Sequence, residues 1–358
     1  MQAAVSAGYE VIALDIFADA DTQAAAKQSV LLEYTDGGFD ETDFSNALTQ
    51  LDLQGCIGFV YGSGFEKHWQ LLEMAETYLP LLGNSLRIVK NLKRPQQFFT
   101  LLDILGIPHP EIAFLVPDDL SGWLLKGTGG SGGTHIRRAI KDKKAEKGSC
   151  FQREIKGLPI SLLFAANGRN IEVVGFNEQF FTSIDDFPYC YAGAVSNVSL
   201  PDEIKQRLKS YARKISNALG LRGFNSIDAI VSTEGQLFVL EVNPRLTATF
   251  ALYIPEHETM FDLHMRACAG DIKNWPSFKP QAVAHRVLYT SENLEIALDM
   301  DWPEWVADIP TNGLIEKNTP VCSVLAHAAS AEAAKTLASA RVESLENVIK
   351  VKKVEQNE

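Results

Sequence analysis

Two neighbouring strand patterns carry acidic side chains in an otherwise apolar stretch, and their pairing constrains the fold more than any other feature of the chain. Phe224–Val231 and Gln236–Val242 have the length and apolar content of buried strands, and Thr233–Gln236 supplies a turn between them. Two-residue and four-residue loops centred on that turn give the same register, in which paired residue numbers sum to 469. Asp228 then lies directly opposite Glu241.

These two carboxylates predict a metal site. Asn243 lies two residues beyond Glu241 and therefore points to the same face of its strand. Like charges that face each other across two strands destabilise a sheet, and the apolar neighbours keep water from relieving the repulsion. Carboxylate and amide oxygens are the ligands that Mg²⁺ prefers, and Mn²⁺ accepts the same ligands. We therefore expect Asp228, Glu241 and Asn243 to bind Mg²⁺; a protonated carboxylate or a shifted register is the alternative.

Arg245 follows this hairpin directly, after Pro244. A proline biases the residue before it towards extended geometry, which keeps Asn243 in the pattern of its strand. The planar guanidinium of Arg245 suits a phosphate or a carboxylate. An arginine at a strand end is by itself more often a solvated charge, so this assignment depends on the metal site beside it.

A second feature is the glycine-rich stretch that follows Lys126. Five of the seven residues 127–133 are glycine, which disfavours helix and strand because glycine loses the most backbone entropy on ordering. The stretch suits a flap whose bare N–H groups close over phosphates, with Lys126 adding a positive charge. It lacks the Gly-Lys-Ser/Thr of a P-loop, and it does not follow the first strand as a dinucleotide fingerprint would. A plain flexible loop is the alternative.

Composition argues against several classes of function. The 358 residues include 33 Lys and Arg against 45 Asp and Glu, a net charge of −12, so we expect no nucleic-acid partner. No apolar run approaches the roughly 20 residues that cross a bilayer, so we expect no membrane partner. The five cysteines are scattered, which is typical of reduced thiols in the cytoplasm. His257 and His264 are spaced for one helix face, and we interpret them as hydrogen-bonded structural residues.

Alternating strand and helix patterns in the first part of the chain predict a parallel α/β sheet. Val11–Phe17 and Cys56–Tyr61 are apolar strand patterns, whereas Met1–Ala7 has the pattern of a helix. Because a doubly wound unit normally opens with a strand, we expect that the first strand is missing; a fold that simply starts with a helix is the alternative. Changes in composition divide the chain into predicted units at 1–85, 86–150, 151–273 and 281–358.

Taken together, these parts resemble the ATP-grasp superfamily of carboxylate–amine ligases. The resemblance depends on Lys126 with its glycine-rich loop, on Phe151–Gly157, and above all on Asp228 with Glu241–Arg245. It implies an α/β and α+β chain with the ATP-grasp fold. An N-terminal parallel α/β (pre-ATP-grasp) domain would precede a nucleotide clamp of two subdomains and a small C-terminal α/β segment.

The resemblance also implies a set of site residues. ATP would lie between the two subdomains of the clamp, with Gln152–Ile155 as the hinge that hydrogen-bonds adenine. Arg245 would stabilise an acyl-phosphate and the tetrahedral intermediate that follows it, and Lys126 would share the catalytic role. The implied nucleotide-binding residues are Lys93, Lys126, Gly129, Gly130, Ser131, Gly132, Gly133, Gln152, Arg153, Glu154 and Ile155.

Two positions depart from the family pattern. The family usually has a nucleotide-contacting lysine at the start of the helix that ends here in Gly-Ile-Pro, and the best-aligned position holds Pro95. Lys93 or Arg94 is the substitute, and we assign Lys93. Many members have an acidic residue that contacts the ribose after the hinge, where this chain has Pro159–Ser161. That ribose contact is therefore in doubt.

The implied reaction joins a small carboxylate to a small amine, with ATP and Mg²⁺, through an acyl-phosphate. The architecture is compatible with a homodimer. Ala13–Thr22 is similar to the tyramine–glutamate ligase group, which indicates biosynthesis of a one-carbon cofactor such as methanofuran or methanopterin. Two other functions stay open: an ATP-grasp carboxylase that uses bicarbonate, and an ATP-binding regulatory subunit without catalysis.

Overall fold

The computed structural model describes residues 1–35, 37–140, 148–296, 300–311 and 313–355. Its N-terminal unit consists of short helices and strands. Asp19 and Asp40 cap two of the helices, because their carboxylates accept hydrogen bonds from the backbone N–H groups of Thr22 and Asp43. The elements are α1 (Gln2–Ser6), β1 (Ile12–Asp15), α2 (Ala20–Ala25), β2 (Gln28–Leu31), β3 (Tyr34–Thr35), β4 (Gly38–Phe39), α3 (Glu41–Gln50) and α4 (Gln70–Tyr78).

Parallel pairing in this unit is confirmed for β1 and β2. The predicted strand Cys56–Tyr61 is instead an extended segment that makes one parallel bridge, between Phe59 and Leu81. Tyr61 and Phe65, near the end of this segment, are buried in the core of the unit. The missing first strand and the domain boundaries remain predictions.

The second unit is a small antiparallel sheet beside two helices. Its strand order is β5-β8-β6-β7, and Pro95 occupies the first turn of α6, where its missing N–H leaves no hydrogen bond unmade. The sequence pattern of Trp123–Lys126 predicts a strand, and that of Pro95–Leu105 predicts a helix; both are confirmed. The elements are α5 (Leu86–Lys93), α6 (Pro95–Ile104), β5 (Ile112–Ala113), β6 (Trp123–Lys126), β7 (Ile136–Arg138) and β8 (Cys150–Arg153).

Residues 154–156 join β8 to the first strand of a much larger antiparallel sheet. The apolar patterns of Ile160–Ala166 and Ile171–Phe176, with a turn at Asn167 and Gly168, predict a hairpin; it is part of this sheet and is confirmed. A 3₁₀ helix spans Ala248–Leu252. The other elements of this part are β9 (Gly157–Asn167), β10 (Ile171–Ile184), β11 (Phe187–Ser196), α7 (Asp202–Leu219), β12 (Arg222–Ser232), β13 (Leu237–Asn243) and α8 (Met260–Cys268).

The C-terminal segment continues the same sheet. Its overall strand order is β13-β12-β9-β10-β11-β14-β18-β16. Ser330 caps the last helix as predicted, since its Oγ accepts a hydrogen bond from the backbone N–H of Ala333 at 3.3 Å. The segment contains β14 (Ala282–Tyr289), β15 (Leu294–Glu295), β16 (Val306–Ala307), β17 (Leu314–Ile315), β18 (Pro320–Ala328) and α9 (Ala331–Glu355). Over the described ranges, the chain has no helix with the length and apolar content of a membrane span.

The packing of α7 decides which way the hairpin of β12 and β13 faces. α7 is amphipathic, and its apolar residues share a core with Ile227 of β12 and Val242 of β13, both fully buried. Side chains alternate between the two faces of a strand. Asp228 and Glu241, each one position away, therefore point to the opposite face, towards the small sheet.

Candidate active site

The register of β12 and β13 is confirmed at the predicted metal site. Asp228 is paired with Glu241, and Ser226 is paired with Asn243, so the predicted sum of 469 applies along this part of the hairpin. Asp228 and Glu241 side chains therefore share one face of the sheet, with Asn243 two positions further along it.

The turn of the hairpin differs from the prediction. Ser232 donates its N–H to the carbonyl of Gln236 at 2.8 Å, which leaves a three-residue loop with Gly235 at a φ of +79°. Nearer the turn, Ala229 pairs with Val239, so Leu240 is an extra residue in a β-bulge. The predicted loop lengths were wrong, and the bulge restores the predicted register at Asp228.

Hydrogen bonds join the three predicted metal ligands to one another and to a lysine. The amide nitrogen of Asn243 donates to Asp228 Oδ2 at 3.0 Å, and Gln179 donates to Asp228 Oδ1 at 3.1 Å. The Lys93 ammonium donates to Asn243 Oδ1 at 2.8 Å and also forms an ion pair with Glu241. The oxygens of Glu241 and Asn243 thus already surround one cation.

The two carboxylates have different pKa values because their surroundings differ. Burial, together with the charge of Glu241, raises the pKa of Asp228 to about 6, although Lys93 and Arg245 act in the opposite direction. Burial also disfavours the charged form of Glu241, but the positive charges of Lys93 and Lys126 outweigh it and lower that pKa to about 2. Glu241 is therefore an anion at neutral pH, held by cations on the other side of the cleft.

This set of donors fits Mg²⁺. Two carboxylates and an amide oxygen lie on one sheet face, and the Lys93 ammonium shows that Glu241 and Asn243 direct oxygen atoms at a cation. Among the described residues no group of three His, Cys, Asp or Glu side chains forms a metal cluster.

A cleft with a volume of about 50 Å³ lies between the hairpin and the small sheet. Lys93, Lys126 and Glu241 line it, together with Leu240, which the β-bulge places beside Glu241. Lys126 also donates a hydrogen bond to Gln152 Oε1 at 3.3 Å. Lys126 and Glu241 therefore line the same cleft, and Gln152 of the predicted hinge is hydrogen-bonded to Lys126.

His135 also lines this cleft, and the sequence did not single it out. Its Nδ1 is buried and has no hydrogen-bond partner among the described residues. Burial, assisted by the charge of Lys126, lowers the pKa of His135 to about 4, so the imidazole is neutral at pH 7. Gly130 packs directly against this ring, because a Cβ at Gly130 would overlap it.

The glycine-rich loop is docked on β11. The N–H of Tyr191 donates to the carbonyl of Gly132 at 2.9 Å, and a Cβ at Gly133 would overlap the backbone carbonyl of Tyr189. Gly132 and Gly133 both have positive φ angles, which favour glycine. Ser131 lies in the same loop. At Gly132 and Gly133, two of the predicted phosphate-binding positions, the backbone therefore requires glycine where the loop approaches β11.

The predicted hinge connects the two sheets, but its side chains point to different places. Arg153 stacks on the ring of Trp123, 4.3 Å from the ring centroid, and pairs with Glu111. Glu154 forms an ion pair with Arg138 at 2.8 Å and accepts a hydrogen bond from Tyr189. Burial disfavours its charge, but Tyr189 and Arg138 together lower the pKa of Glu154.

Ile155, the last predicted hinge residue, is half-buried just before the large sheet begins. Beyond the hinge, Pro159 pairs with Ile230 inside the sheet. Ser161 is fully buried there and accepts a hydrogen bond from Asn177 at 3.1 Å. The roles of these side chains towards a nucleotide remain predictions.

Lys93 and Arg94 differ sharply in position. Lys93 is 6% exposed and reaches the hairpin of β12 and β13. The guanidinium of Arg94 instead lies over the ring of Trp69, 4.9 Å from the centroid. Of the two candidates for the substitute nucleotide lysine, Lys93 is the one that lines the cleft.

Arg245 forms a buried ion pair with Glu66 of the N-terminal unit. Its Nη1 also donates to the carbonyl of Leu246 at 3.1 Å. Sequence analysis missed Glu66, which follows closely after the glycines of Gly62–Gly64. The only local indication that Glu66 has a role was the glycine-rich sequence before it, and that sequence does not identify Arg245 as the partner of Glu66.

The structural interpretation of His264 agrees with its hydrogen bonds. The backbone N–H of Phe224 donates to Nδ1 at 3.1 Å, and Nε2 faces the carbonyl of Leu82 at 3.0 Å. A donor on one side and an acceptor on the other select the neutral imidazole, and burial lowers the pKa of His264 to about 4.

Comparison with known sequences identifies the middle of the chain. The family described as the ATP-grasp domain matches residues 100–249. The carbamoyl phosphate synthase arginine-specific large chain of Bacillus subtilis (strain 168) is 27% identical over 192 residues, covering 48% of this chain and 18% of the relative. A D-alanine–D-alanine ligase of Oleidesulfovibrio alaskensis is 44% identical over 55 residues, covering 15% of this chain and 18% of the relative. The chain thus spans less than a fifth of the length of either relative.

Comparison with solved structures covers nearly the whole chain. The L-amino acid ligase from Bacillus licheniformis matches with a TM-score of 0.70 at 14% identity, over 96% of this chain and 93% of that one. At this identity the likeness shows the fold, which is the ATP-grasp fold implied by the sequence resemblance.

Proposed function

We propose that this chain, whose residues 100–249 match the family described as the ATP-grasp domain, is an ATP- and Mg²⁺-dependent ligase that joins a small carboxylate to an amine. The observation that carries the proposal is that Lys93, Lys126 and Glu241 line one cleft, with Asn243 hydrogen-bonded to Lys93 and Asp228 paired with Glu241 beside it. A site with paired anions facing paired cations suits a triphosphate and its metal ion, which bring both signs of charge.

The cleft provides distinct places for the parts of ATP. Leu240 offers an apolar surface and residues 152–155 offer backbone groups at the junction of the two sheets. Lys126 and the N–H groups of the glycine-rich loop are available to the phosphates. Mg²⁺ at Asp228, Glu241 and Asn243 would supply charge neutralisation of the phosphates.

The proposed chemistry needs little covalent work from the protein. A carboxylate oxygen of the substrate attacks the γ-phosphorus, and the bond to the β–γ bridging oxygen breaks to release ADP. The amine nitrogen then attacks the acyl carbon and loses a proton, and the C–O bond breaks to release phosphate. Arg245 would stabilise the negative charge that develops on oxygen in both steps, and positioning would supply the rest.

The experiment is phosphate release from ATP and Mg²⁺ with pooled carboxylates, with and without pooled amines. We expect release that needs both pools and falls by at least about 10²-fold in Glu241→Gln, which keeps the size of the side chain but removes a metal-binding charge. Release with bicarbonate alone as the carboxylate would support the carboxylase instead. ATP binding without release in any pool would support a regulatory subunit.

We further propose that the protein acts in the cytoplasm, on a step of cofactor biosynthesis. All five cysteines are free in the structure, which agrees with a reducing compartment. We also propose a homodimer, which light scattering of the purified protein tests directly. A monomer at micromolar concentration would contradict it.

A further inference from the structure

Glu66 belongs to the N-terminal unit yet reaches the predicted catalytic arginine. Its residue surface is 2% exposed. One carboxylate oxygen accepts from Arg245 Nε and the other accepts from the backbone N–H of Gly64 at 3.0 Å. Both oxygens therefore have a donor, so the carboxylate is held in one orientation.

The contacts of Glu66 and Leu246 fix the guanidinium of Arg245 at two of its nitrogens. Nε contacts Glu66 and Nη1 contacts the carbonyl of Leu246, whereas Nη2 has no hydrogen-bond partner among the described residues. A guanidinium buried without an anion is strongly disfavoured, so Glu66 keeps Arg245 in place when no substrate is bound. The Nη2 edge is left for an incoming oxyanion.

The same N-terminal unit also holds the backbone next to Arg245. Tyr61 Oη donates to the carbonyl of Pro244 at 3.2 Å, and Asn84 Nδ2 donates to the same carbonyl at 2.9 Å. Both side chains are almost fully buried. The unit therefore fixes the residue before Arg245 through its backbone and Arg245 itself through its side chain.

The glycine-rich loop reaches Glu66 from the other side. A Cβ at Gly129 would overlap the backbone carbonyl of Glu66, so the loop and this residue are in direct backbone contact. Gly129 has a φ of +68°, which adds a second reason for glycine. The loop predicted to cover the phosphates and the carboxylate that holds Arg245 thus meet at one residue.

We propose that Glu66 is a positioning residue that orients Arg245 for the transfer of the phosphoryl group, so that the N-terminal unit completes the active site. The proposal rests on the proposed ligase function. It differs from a purely structural role for Glu66, because loss of orientation lowers the kcat of the folded enzyme while leaving its KM for ATP nearly unchanged.

The kinetic test compares Glu66→Ala and Glu66→Gln with Glu10→Gln, which breaks the exposed ion pair of Glu10 with Lys27 in the same unit. We expect Glu66→Ala to lower kcat by about 10²-fold with KM for ATP changed less than about threefold, and formate to restore part of kcat. Glu66→Gln keeps a hydrogen-bond acceptor, so its loss is smaller. A kcat within threefold of wild type, or no effect of formate, overturns the proposal.

A second readout does not depend on turnover. In ¹⁵N-arginine-labelled protein, the Nε–H resonance of Arg245, assigned by its loss in Arg245→Lys, is expected to exchange slowly with water and to lose that protection in Glu66→Ala. Unchanged exchange overturns the pairing itself. If protection is lost in Glu66→Ala but wild type turns over no substrate, the proposed function is overturned. The catalytic purpose of the pair is then overturned with it.

Discussion

The ammonium of Lys93 forms a buried ion pair with Glu241, at the end of a helix that precedes the small sheet. The Lys93 side chain is 4% exposed and that of Glu241 is 26% exposed. The same ammonium also contacts Asn243. A protein cation therefore lies where two predicted metal ligands converge, so Mg²⁺ binding has to be shared with Lys93 or displace it.

Lys93→Met tests this competition. The substitution keeps the length of the side chain but leaves Glu241 without its nearest cation, so we expect a loss of about 2–4 kcal/mol in the free energy of unfolding without Mg²⁺. Mg²⁺ supplies the missing charge, so the variant regains more stability from added Mg²⁺ than wild type gains. Urea unfolding with and without Mg²⁺ measures both effects.

Lys90→Met is the control for that experiment, because Lys90 lies in the same helix and its ammonium is 3.8 Å from the exposed Glu73. We expect it to change stability by less than about 1 kcal/mol, independently of Mg²⁺. Equal stabilisation of Lys93→Met and wild type by Mg²⁺ would show that the metal does not bind at Glu241.

The docking of the glycine-rich loop on β11 is tested by two adjacent alanine substitutions. Gly132 and Gly133 both have positive φ angles, so alanine is strained at either position. A Cβ at Gly133 overlaps the Tyr189 carbonyl, whereas a Cβ at Gly132 meets nothing within 4 Å. We expect Gly133→Ala to weaken ATP binding at least about tenfold more than Gly132→Ala, as measured by calorimetry. Equal effects would mean that contact with β11 is unimportant.

Gly130 and His135 provide a double-mutant test of the same loop. Alanine at Gly130 overlaps the imidazole, so Gly130→Ala is expected to displace the loop and weaken ATP binding. His135→Gly removes both the imidazole and the Cβ that a Cβ at Gly130 would overlap, so Gly130→Ala should be less harmful in that background. Additive losses of ATP affinity in the double variant would contradict the packing of this ring on the loop.

His264 predicts a loss of stability in acid. Its pKa is lowered to about 4 in the folded state, whereas an unfolded histidine titrates near 6.5. The unfolded chain therefore binds a proton that the folded one refuses, so the contribution is present above about pH 6.5 and is lost as pH falls towards 4. We expect this loss of stability to reach about 3 kcal/mol, since each pKa unit of the shift corresponds to about 1.4 kcal/mol.

The measurement compares wild type with His264→Gln, which does not titrate. The difference in unfolding free energy between them should narrow as pH falls from 7 to 4. An NMR titration should show a neutral imidazole in the folded protein at pH 5. A constant difference between the two proteins, or a protonated His264 at that pH, would refute the tautomer assigned from Phe224 and Leu82.

The sequence was sufficient to predict the pairing of Asp228 with Glu241 but not the turn that produces it. Alternation along a strand is a strong constraint, because shifting it by one residue would expose Ile227 and Val242. A β-bulge adds one residue to a strand but leaves the alternation of side chains beyond the bulge intact. The apolar pattern of the sequence therefore could not show that Leu240 is the extra residue.

Contacts between distant segments were the other limit. Glu66 and Arg245 are 179 positions apart, and nothing in the local sequence of either names its partner. The position of Lys93 beside Glu241 likewise depends on how α5 packs against the hairpin. The sequence did not predict His135 as a site residue because it belongs to no histidine cluster. Its burial in the cleft depends on the fold and could not be seen in the sequence.

The central claim is that this cleft activates a carboxylate by phosphorylating it. Transfer of ¹⁸O tests the claim most directly: carboxylate pools labelled with ¹⁸O are incubated with ATP, Mg²⁺ and amines, and the released phosphate is analysed by mass spectrometry. Attack by the carboxylate on the γ-phosphorus predicts one ¹⁸O atom in each phosphate formed, and no transfer above background with Glu241→Gln. Phosphate released at the same rate without ¹⁸O would contradict an acyl-phosphate and the ligase mechanism with it.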